Sequence, residues 1–492
     1  MDPACFALLQ SALAVTSPEG RSPSAPGAAF LCAAPSVRTV SNTDRNVSLS
    51  GKCQTQHICH LCLIRPEGEE ACFHIVSVKR CSSNNFNFSL IFSSPGLIGL
   101  MAVTPLRILN LRKSNPAKYN DFLELSDNLE SLKQNDNWPY YVKHIIDPIT
   151  ELGIEAVSRE DVEKIVGIVV TNSFETSGSA GTIGVFCEPA MMNHSCLANT
   201  RLVLEGASRL KVVAALRIKK GSAVSNNYAR AIDTNWTRRV NLLENKCFLC
   251  QCPRCQDPAE LGSQVSSLVC GLCESGHLLP GDANNMRTDW VCSDCGAVRD
   301  YHQVAETLRT VRTEADHLNK TDVSSLKALV KRLSRKLHRN HSIMIELKQL
   351  LVSGRFIHPT LSWRSKHLVG LGRAAGFSME EMGEDDIKLK IVLCQQLLEV
   401  QDIINPGLTL GRGLILYELH SALVMLANLE YALSHNNNNL ISKLEESEAL
   451  LLEAIRILSP ESQYSEFGHV KKAAGESYEQ LSQYLESVRN MR

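Results

Sequence analysis

The spacing of apolar positions divides the chain into stretches of different texture. Leu106 and Leu109, then Phe122, Leu125, Leu129 and Leu132, recur at helical spacing, and residues 138–149 continue an apolar face. Val162, Ile165, Val166 and Val169 predict a further helix over residues 160–174. Between residues 178 and 228 the pattern shortens. Thr200-Arg-Leu-Val-Leu-Glu205 and Leu210-Lys-Val-Val-Ala214 alternate, punctuated by Gly206, Gly221 and Asn226, which predicts short half-buried strands joined by turns. Beyond Tyr301 nearly everything reads as helix. Leu444, Leu451, Leu452, Ile455 and Leu458 form one apolar stripe, and Val470, Ala474, Tyr478, Leu481 and Leu485 form another. Pro406-Gly407, the asparagine run 436–439 and Pro460 separate these helices. Their antiparallel pairing would make an array like that of helical-repeat proteins, although no clean consensus of about 34 residues is visible. The pattern as a whole predicts an α+β protein.

Composition narrows the class. Apolar residues make up 44% of the 492, enough for a sizeable core over most of the chain. Residues 1–52 are the exception: Ser, Pro, Ala and Gly dominate and few bulky apolar side chains follow Leu13, which predicts a disordered or poorly determined leader. Lys and Arg total 51 against 52 Asp and Glu, so no global basic excess points to nucleic acid. Lys327, Lys331, Arg332, Arg335, Lys336 and Arg339, with apolar Val330, Leu333 and Leu337, read as the solvated side of one amphipathic helix. Met1-Asp2-Pro3 lacks the positive start of a signal peptide. A charge-free stretch, 82–106, has the length of a membrane span, but Asn84, Asn85, Asn87, Pro95 and Pro105 argue against one. A protein with no membrane segment, in cytoplasm or nucleus, is expected.

The cysteines carry the first chemistry. Cys247, Cys250, Cys252, Cys255, Cys270, Cys273, Cys292 and Cys295 crowd together, and such pairs in a large chain without a secretory signal read as metal ligands before disulfides. Cys270-x2-Cys273 and Cys292-x2-Cys295, 18 residues apart, have the spacing of a four-cysteine zinc ribbon. Gly271, Gly276 and Gly296 sit where its knuckles need permissive backbone. A closed four-thiolate site leaves no open position for catalysis, so its role is structural. Cys250-x-Cys252-x2-Cys255 supplies three thiolates, and the fourth is either Cys247 or a distant cysteine, with Cys196 in Met191-Met-Asn-His-Ser-Cys196 the best placed.

Asn193-His-Ser-Cys196 followed by Asn199, then Arg217-Ile-Lys-Lys-Gly221 and Tyr228, resembles the C-terminal half of a SET domain. Cys247-Phe-Leu-Cys-Gln-Cys-Pro-Arg-Cys255 resembles the post-SET motif of SET/MYND (SMYD-type) lysine methyltransferases. Asp257-Pro-Ala-Glu-Leu-Gly262, the ribbon and the helical tail are most similar to the arthropod msta/SmydA branch. The likeness runs from about Pro105 to the C-terminus. It implies a SET-type β core with a helical insertion, a zinc-binding post-SET region and an α-helical C-terminal domain. The implied boundaries are 105–231 for the SET domain (insertion 105–165, C-terminal half 166–231), 232–300 for post-SET and ribbon, and 301–492 for the helical domain. It further implies that Asn172, Asn193, His194 and Phe248 contact S-adenosylmethionine, the last three through backbone, side-chain hydrogen bonds and ring packing. Tyr228 would be the active-site tyrosine, and Cys196 would join Cys250, Cys252 and Cys255 around one zinc. The implied activity is methyl transfer from S-adenosylmethionine to a protein lysine.

The chain departs from the family in its first hundred residues. No Gly-x-Gly turn of the kind that admits the cofactor's methionine end occurs before Pro105: Gly96-Leu-Ile-Gly99 is too widely spaced, and Gly178-Ser-Ala-Gly181 lies elsewhere. Residues 53–104 read as a truncated MYND-like region in which Cys59, Cys62, Cys72 and His74 are candidates for a third zinc, with Cys53, His57, His60 and Cys81 nearby. Ser222 and Ala223 replace residues usually acidic, and Ala198 replaces a proline. The alternative function is therefore a catalytically inactive SET/zinc scaffold that binds partner proteins. Taken singly, His194 and Tyr228 would be ordinary structural residues; their order and spacing with the other motifs give them significance.

Overall fold

The computed structural model describes residues 102–175, 183–205, 209–273, 275–319, 322–352, 383–462 and 467–490. The leader, the Cys/His region with Cys59, Cys62, Cys72 and His74, and most of the charge-free stretch lie outside the described residues, as do Gly178, Gly181 and Gly206. The chain divides into two compact units, one containing residues 102–191 and 244–247, the other residues 192–243 and 248–490. The architecture is mixed: many helices, small sheets, and a C-terminal region that is almost wholly helical.

The first unit is mainly helical. It comprises α1 (Val103–Ser114), α2 (Pro116–Leu123), α3 (Leu129–Leu132), α4 (Trp138–Tyr141), a π-helical turn (Val142–Ile146), α5 (Asp147–Glu151) and α6 (Arg159–Asn172). The hairpin β1 (Ser173–Glu175) and β2 (Ile183–Val185) and the short α7 (Cys187–Ala190) follow. The helices start where side chains supply missing partners. Asn115 accepts from Lys118 N–H at 3.1 Å, with Pro116 as the first helical residue. Ser158 and Asp161 form a reciprocal capping box at 3.1 and 2.8 Å. Leu106, Leu109, Phe122, Leu132, Ile145, Ile149, Ile165 and Val169 meet in one core. The helix predicted over residues 160–174 stops at Asn172, because Ser173 and Phe174 turn extended to pair with Val185 and Gly184.

The second unit opens with four short strands. β3 (Asn193–His194) and β6 (Ser225–Asn226) pair in parallel, while β4 (Thr200–Glu205) and β5 (Arg209–Ala214) form the antiparallel hairpin that the alternation predicts. Next come α8 (Asn235–Lys246) and the one-turn α9 (Pro253–Gln256). The ribbon is a four-stranded sheet of β7 (Leu268–Val269), β8 (His277–Pro280), β9 (Trp290–Cys292) and β10 (Val298–Arg299), in the order β10-β9-β8-β7 and antiparallel throughout. The remaining helices are α10 (Tyr301–His317), α11 (Val323–Leu333), α12 (Ser342–Val352), α13 (Glu384–Ile404), α14 (Leu410–Ser434), α15 (Asn437–Leu458) and α16 (Gly468–Asn490). By length and composition α14 could cross a membrane, but more than half of its apolar window is buried in this unit, where it packs with α13 and α15.

Two expectations need correction. The stripe on α15 is Leu440, Leu444, Leu451 and Leu458; Leu452 is 45% exposed on the other side, and Ile455 is only partly covered. The basic stretch 327–339 is not one helix. α11 ends at Leu333, and the following residues run beside β7: Leu337 bridges Leu268, Val269 N–H donates to Lys336 O at 2.9 Å, and His338 N–H donates to Ser267 O at 3.1 Å. Three of its cations face acidic partners: Lys327 pairs with Asp386, Arg332 with Glu314 at 3.0 Å, and Arg339 with Glu399 at 3.3 Å.

The β4–β5 hairpin is fastened to the C-terminal helices. Arg201 on β4 meets Glu461 at 2.9 Å and donates to Ile457 O at 2.6 Å. Leu408 N–H donates to Ala215 O at 2.9 Å, beside Gly407 at φ +87°. A Cβ on Gly407 would lie 2.2 Å from Ala215 O, so only glycine fits this crossing. Gly407→Ala should therefore lower unfolding free energy by roughly 2–4 kcal/mol, from overpacking plus left-handed strain. A chemical-denaturation midpoint unchanged from the parent would refute this account of the junction.

Candidate functional site

The tyrosine loop and the NHSC segment are held together by backbone pairing. In the β3–β6 ladder Asn193 faces Ser225 and His194 faces Asn226, and Ser195 N–H donates to Asn226 O at 3.0 Å. Asn199 fastens the incoming loop: its Nδ2 donates to Ala223 O at 2.8 Å and its Oδ1 accepts from Ser225 N–H at 2.9 Å. Thr200 Oγ1 donates to Ser225 O at 2.8 Å. Tyr228 thus emerges two residues after a strand fixed on several sides. Its own N–H donates to His194 Nδ1 at 3.0 Å, and its hydroxyl donates to the Met192 carbonyl.

Three aromatic rings converge here. His194 lies 5.2 Å from Tyr228 and 5.7 Å from Phe248, both tilted. All three are half-buried, while the Asn193 side chain is exposed beside them. Burial pushes the His194 imidazole down to about 4, the largest effect on it, so the ring is neutral near pH 7. Burial also raises the Tyr228 phenol above its ordinary value, keeping it protonated. Asn172 belongs to the other unit, where it ends α6; its Nδ2 donates to Ser126 O and Ile168 O, both at 2.8 Å.

The fourth partner of the Cys250-Cys252-Cys255 trio is Cys196. These four sulfurs all lie within 4.8 Å of one another, with Cys196 3.9 Å from Cys250 and 3.5 Å from Cys255. A tetrahedral zinc with bonds of about 2.3 Å spaces its sulfurs about 3.8 Å apart, so the donor set and its geometry suit that ion. Cys247, the other candidate, is not in the cluster: it packs in the core of the first unit, at φ +59°.

The sulfurs are backed by a buried charge network that the sequence reading missed. Arg238 on α8, fully buried, donates through Nε to Cys196 Sγ at 3.3 Å and through Nη2 to Cys255 Sγ at 3.4 Å. Its Nη1 bonds Glu260 Oε2 and Asp233 O, each at 2.6 Å. Arg254, lying between Cys252 and Cys255 in sequence, meets the same Glu260 oxygen at 3.0 Å through Nε and 2.9 Å through Nη2. Asn235 and Ser266 supply donors to the other carboxylate oxygen. Burial alone would raise the Glu260 carboxyl, but the two guanidiniums and the Ser266 hydroxyl hold it below the usual range. The one signal in the sequence is an arginine on the same helical face as buried Leu242, four residues on.

The ribbon cysteines form a second group. Cys270, Cys273, Cys292 and Cys295 also lie within 4.8 Å, with Cys270 3.8 Å from Cys295 and Cys273 3.6 Å from Cys292. Backbone donors complete the knuckle: Leu272 N–H points at Cys270 Sγ at 3.5 Å and Gly276 N–H at Cys273 Sγ at 3.4 Å. Of the glycines singled out, Gly296 has φ +68° and Gly276 has no room for a Cβ, which would fall 2.4 Å from Cys292 Sγ. Gly271 has neither constraint; its Cβ would meet only Arg299 at 3.5 Å.

Comparison with known proteins agrees with these motifs. The chain is 34% identical over 160 residues to the SET domain-containing protein SmydA-8, isoform A, of Drosophila melanogaster, a match covering 31% of this chain and 34% of that one. It is 24% identical over 158 residues to a SET and MYND domain-containing protein of Dictyostelium discoideum, covering 29% and 30%. It is 24% identical over 174 residues to the mouse protein named histone-lysine N-methyltransferase SMYD3, covering 33% and 40%. The chain thus spans about a third of the length of the curated relatives it matches. No protein-family model matches it.

Gly276→Ala should displace Cys292 and release one of two expected zinc equivalents, read by atomic absorption after dialysis; two retained equivalents would contradict the ribbon assignment. Glu260→Gln should cost about 3–5 kcal/mol of unfolding free energy at pH 7 by removing the buried carboxylate that both guanidiniums meet. Because the folded carboxyl titrates below its unfolded value near 4.3, its contribution is present above that value and is lost as pH falls through the lower, folded one. The variant should accordingly lose less stability than the parent on acidification, measured by denaturant titration from pH 7 downward.

Proposed function

We propose that this chain, which belongs to the SMYD-type SET and MYND family, is a protein-lysine N-methyltransferase that uses S-adenosylmethionine and places Tyr228 at the reacting centre. The observation that carries the reading is the convergence of Tyr228, His194 and Phe248 beside exposed Asn193, on a loop attached to a four-cysteine cluster. The residues suit the cofactor's chemistry: aromatic faces attract a sulfonium cation and pack on adenine, and the Asn193 carboxamide offers both a donor and an acceptor. When bound, S-adenosylmethionine supplies an electrophilic methyl group. Asn172 is assigned to the cofactor by resemblance.

The chain's own contribution is placement and desolvation. A lysine amine must be neutral to attack, and half-buried aromatic walls disfavour its charged form. The Tyr228 hydroxyl donates to Met192 O, and a phenol oxygen held by that bond can accept from a lysine N–H and so orient the amine's lone pair. Its raised pKa keeps it from acting as a competing nucleophile. Zinc at Cys196, Cys250, Cys252 and Cys255 would hold the loop carrying Phe248, and zinc at the ribbon would be structural. A histone or other protein lysine is the substrate class, which places the activity in nucleus or cytoplasm.

Calorimetric titration of S-adenosylmethionine into the zinc-loaded chain tests this. Micromolar binding is expected, lost in Asn193→Ala and kept in Tyr228→Phe, while Tyr228→Phe lowers transfer of labelled methyl to histones or a lysate by about tenfold or more. A folded, zinc-replete chain that binds no cofactor would overturn the enzyme reading and leave a zinc-bound scaffold for partner proteins.

A further inference from the structure

The His194 ring stands between the first sulfur cluster and the tyrosine, and its hydrogen bonds fix where its proton sits. A backbone N–H can only donate, so the 3.0 Å contact from Tyr228 N to Nδ1 requires an unprotonated Nδ1. In the neutral ring the proton is then on Nε2. That nitrogen faces Cys196 Sγ at 3.4 Å. The result is a directed chain: Tyr228 N–H to Nδ1, then Nε2–H to the sulfur. The Tyr228 hydroxyl returns to the carbonyl of Met192, two residues before His194, and closes the circuit.

We propose that His194 is a positioning residue that couples the metal at Cys196 to the placement of Tyr228. What Tyr228 does once placed rests on the methyltransferase reading; the coupling itself does not. Both ring nitrogens are committed within the protein, so His194 acts on the site through the metal and the tyrosine backbone and not by a side-chain hydrogen bond to cofactor. An ion holds Cys196 Sγ at one point. Without it the thiol is free to turn about its own Cα–Cβ bond, and the imidazole keeps one anchor in place of two. The same sulfur also accepts from Arg238 at 3.3 Å, so Cys196 gathers two N–H donors from different elements. Such outer partners of a ligand commonly govern metal retention by 10–100-fold (an order-of-magnitude range).

Two substitutions separate the halves of this bridge. Asn at 194 can offer an oxygen near the Nδ1 position but reaches too short to donate to Cys196. Gln can place an N–H near the Nε2 position but offers nothing to Tyr228. In the full chain loaded with 113Cd, the parent should show the Nε2-protonated tautomer by 15N-histidine NMR, with scalar coupling from the metal to that proton. His194→Asn should lose the coupling and release metal to a chelator about tenfold faster or more, with the Tyr228 amide resonance close to the parent's. His194→Gln should hold metal within about twofold of the parent while the Tyr228 amide shifts, and any methyl transfer should fall in kcat with cofactor affinity kept. A proton on Nδ1, absent coupling in the parent, or metal release in His194→Asn at the parent's rate would overturn the proposal. The parent spectrum needs no variant to fold. Coupling observed in a chain that binds no cofactor would refute the enzyme reading and leave this one standing.

Discussion

Four cysteine sulfurs lie within 4.8 Å of one another, and as metal-bound thiolates they would repel, which is the constraint the buried charges around them answer. One divalent ion among four thiolates would leave two negative charges uncompensated. Arg238, wholly buried, brings a guanidinium to two of the sulfurs, and Arg254 adds another nearby. Two cations in the interior would themselves be costly, and Glu260 meets both. The position that lets Glu260 do so is unusual: it takes φ +51°, with Leu261, Gly262 and Gln264 nearby also at positive φ, so the carboxylate's fit is obtained against backbone preference. Asp257 steadies the turn by accepting from the N–H groups of Ala259 and Leu261 at 2.9 and 2.7 Å.

The two cysteine clusters solve the charge problem differently. The first draws on buried side chains. The second relies on backbone N–H groups at knuckles, with Cys295 exposed, and so needs no buried cation. This difference matches what each supports. The first touches the ring beside Tyr228; the second stiffens a small sheet whose neighbours include α10, entered by Trp236 stacked on Tyr301 at 5.5 Å. The ribbon sheet is extended on its β7 side by residues after α11, which is why a stretch with helical composition is not helical there.

Local patterns were legible where one physical rule decides them. Alternation placed the β4–β5 hairpin within a residue, and Cys-x2-Cys spacing identified the ribbon. Spacing did not choose between Cys196 and Cys247, because that choice is made by the β3–β6 ladder, a contact between distant segments; the order of family motifs pointed to it instead. Leu452 and the stretch after Leu333 were misread for a related reason: an apolar or basic residue at helical spacing says nothing of which neighbour arrives. Arg238 and Glu260 were invisible as a pair, since nothing local to either residue says that the loop at 257–266 meets the start of α8.

The position of Cys196 in the chain also sets an order of events during synthesis. It leaves the ribosome 54 residues ahead of Cys250, and the hairpin, the Tyr228 loop and α8 lie between them. The later trio spans only six residues and can capture an ion at once, with a water or small thiol as provisional fourth ligand. Closing the larger ring costs chain entropy that falls once the intervening strands have paired. Were the cluster to hold zinc, its capture would therefore be staged, and the last ligand exchanged would be the one that carries His194. A nascent chain stalled before residue 255 would hold every part of the tyrosine loop but only three of the four clustered cysteines.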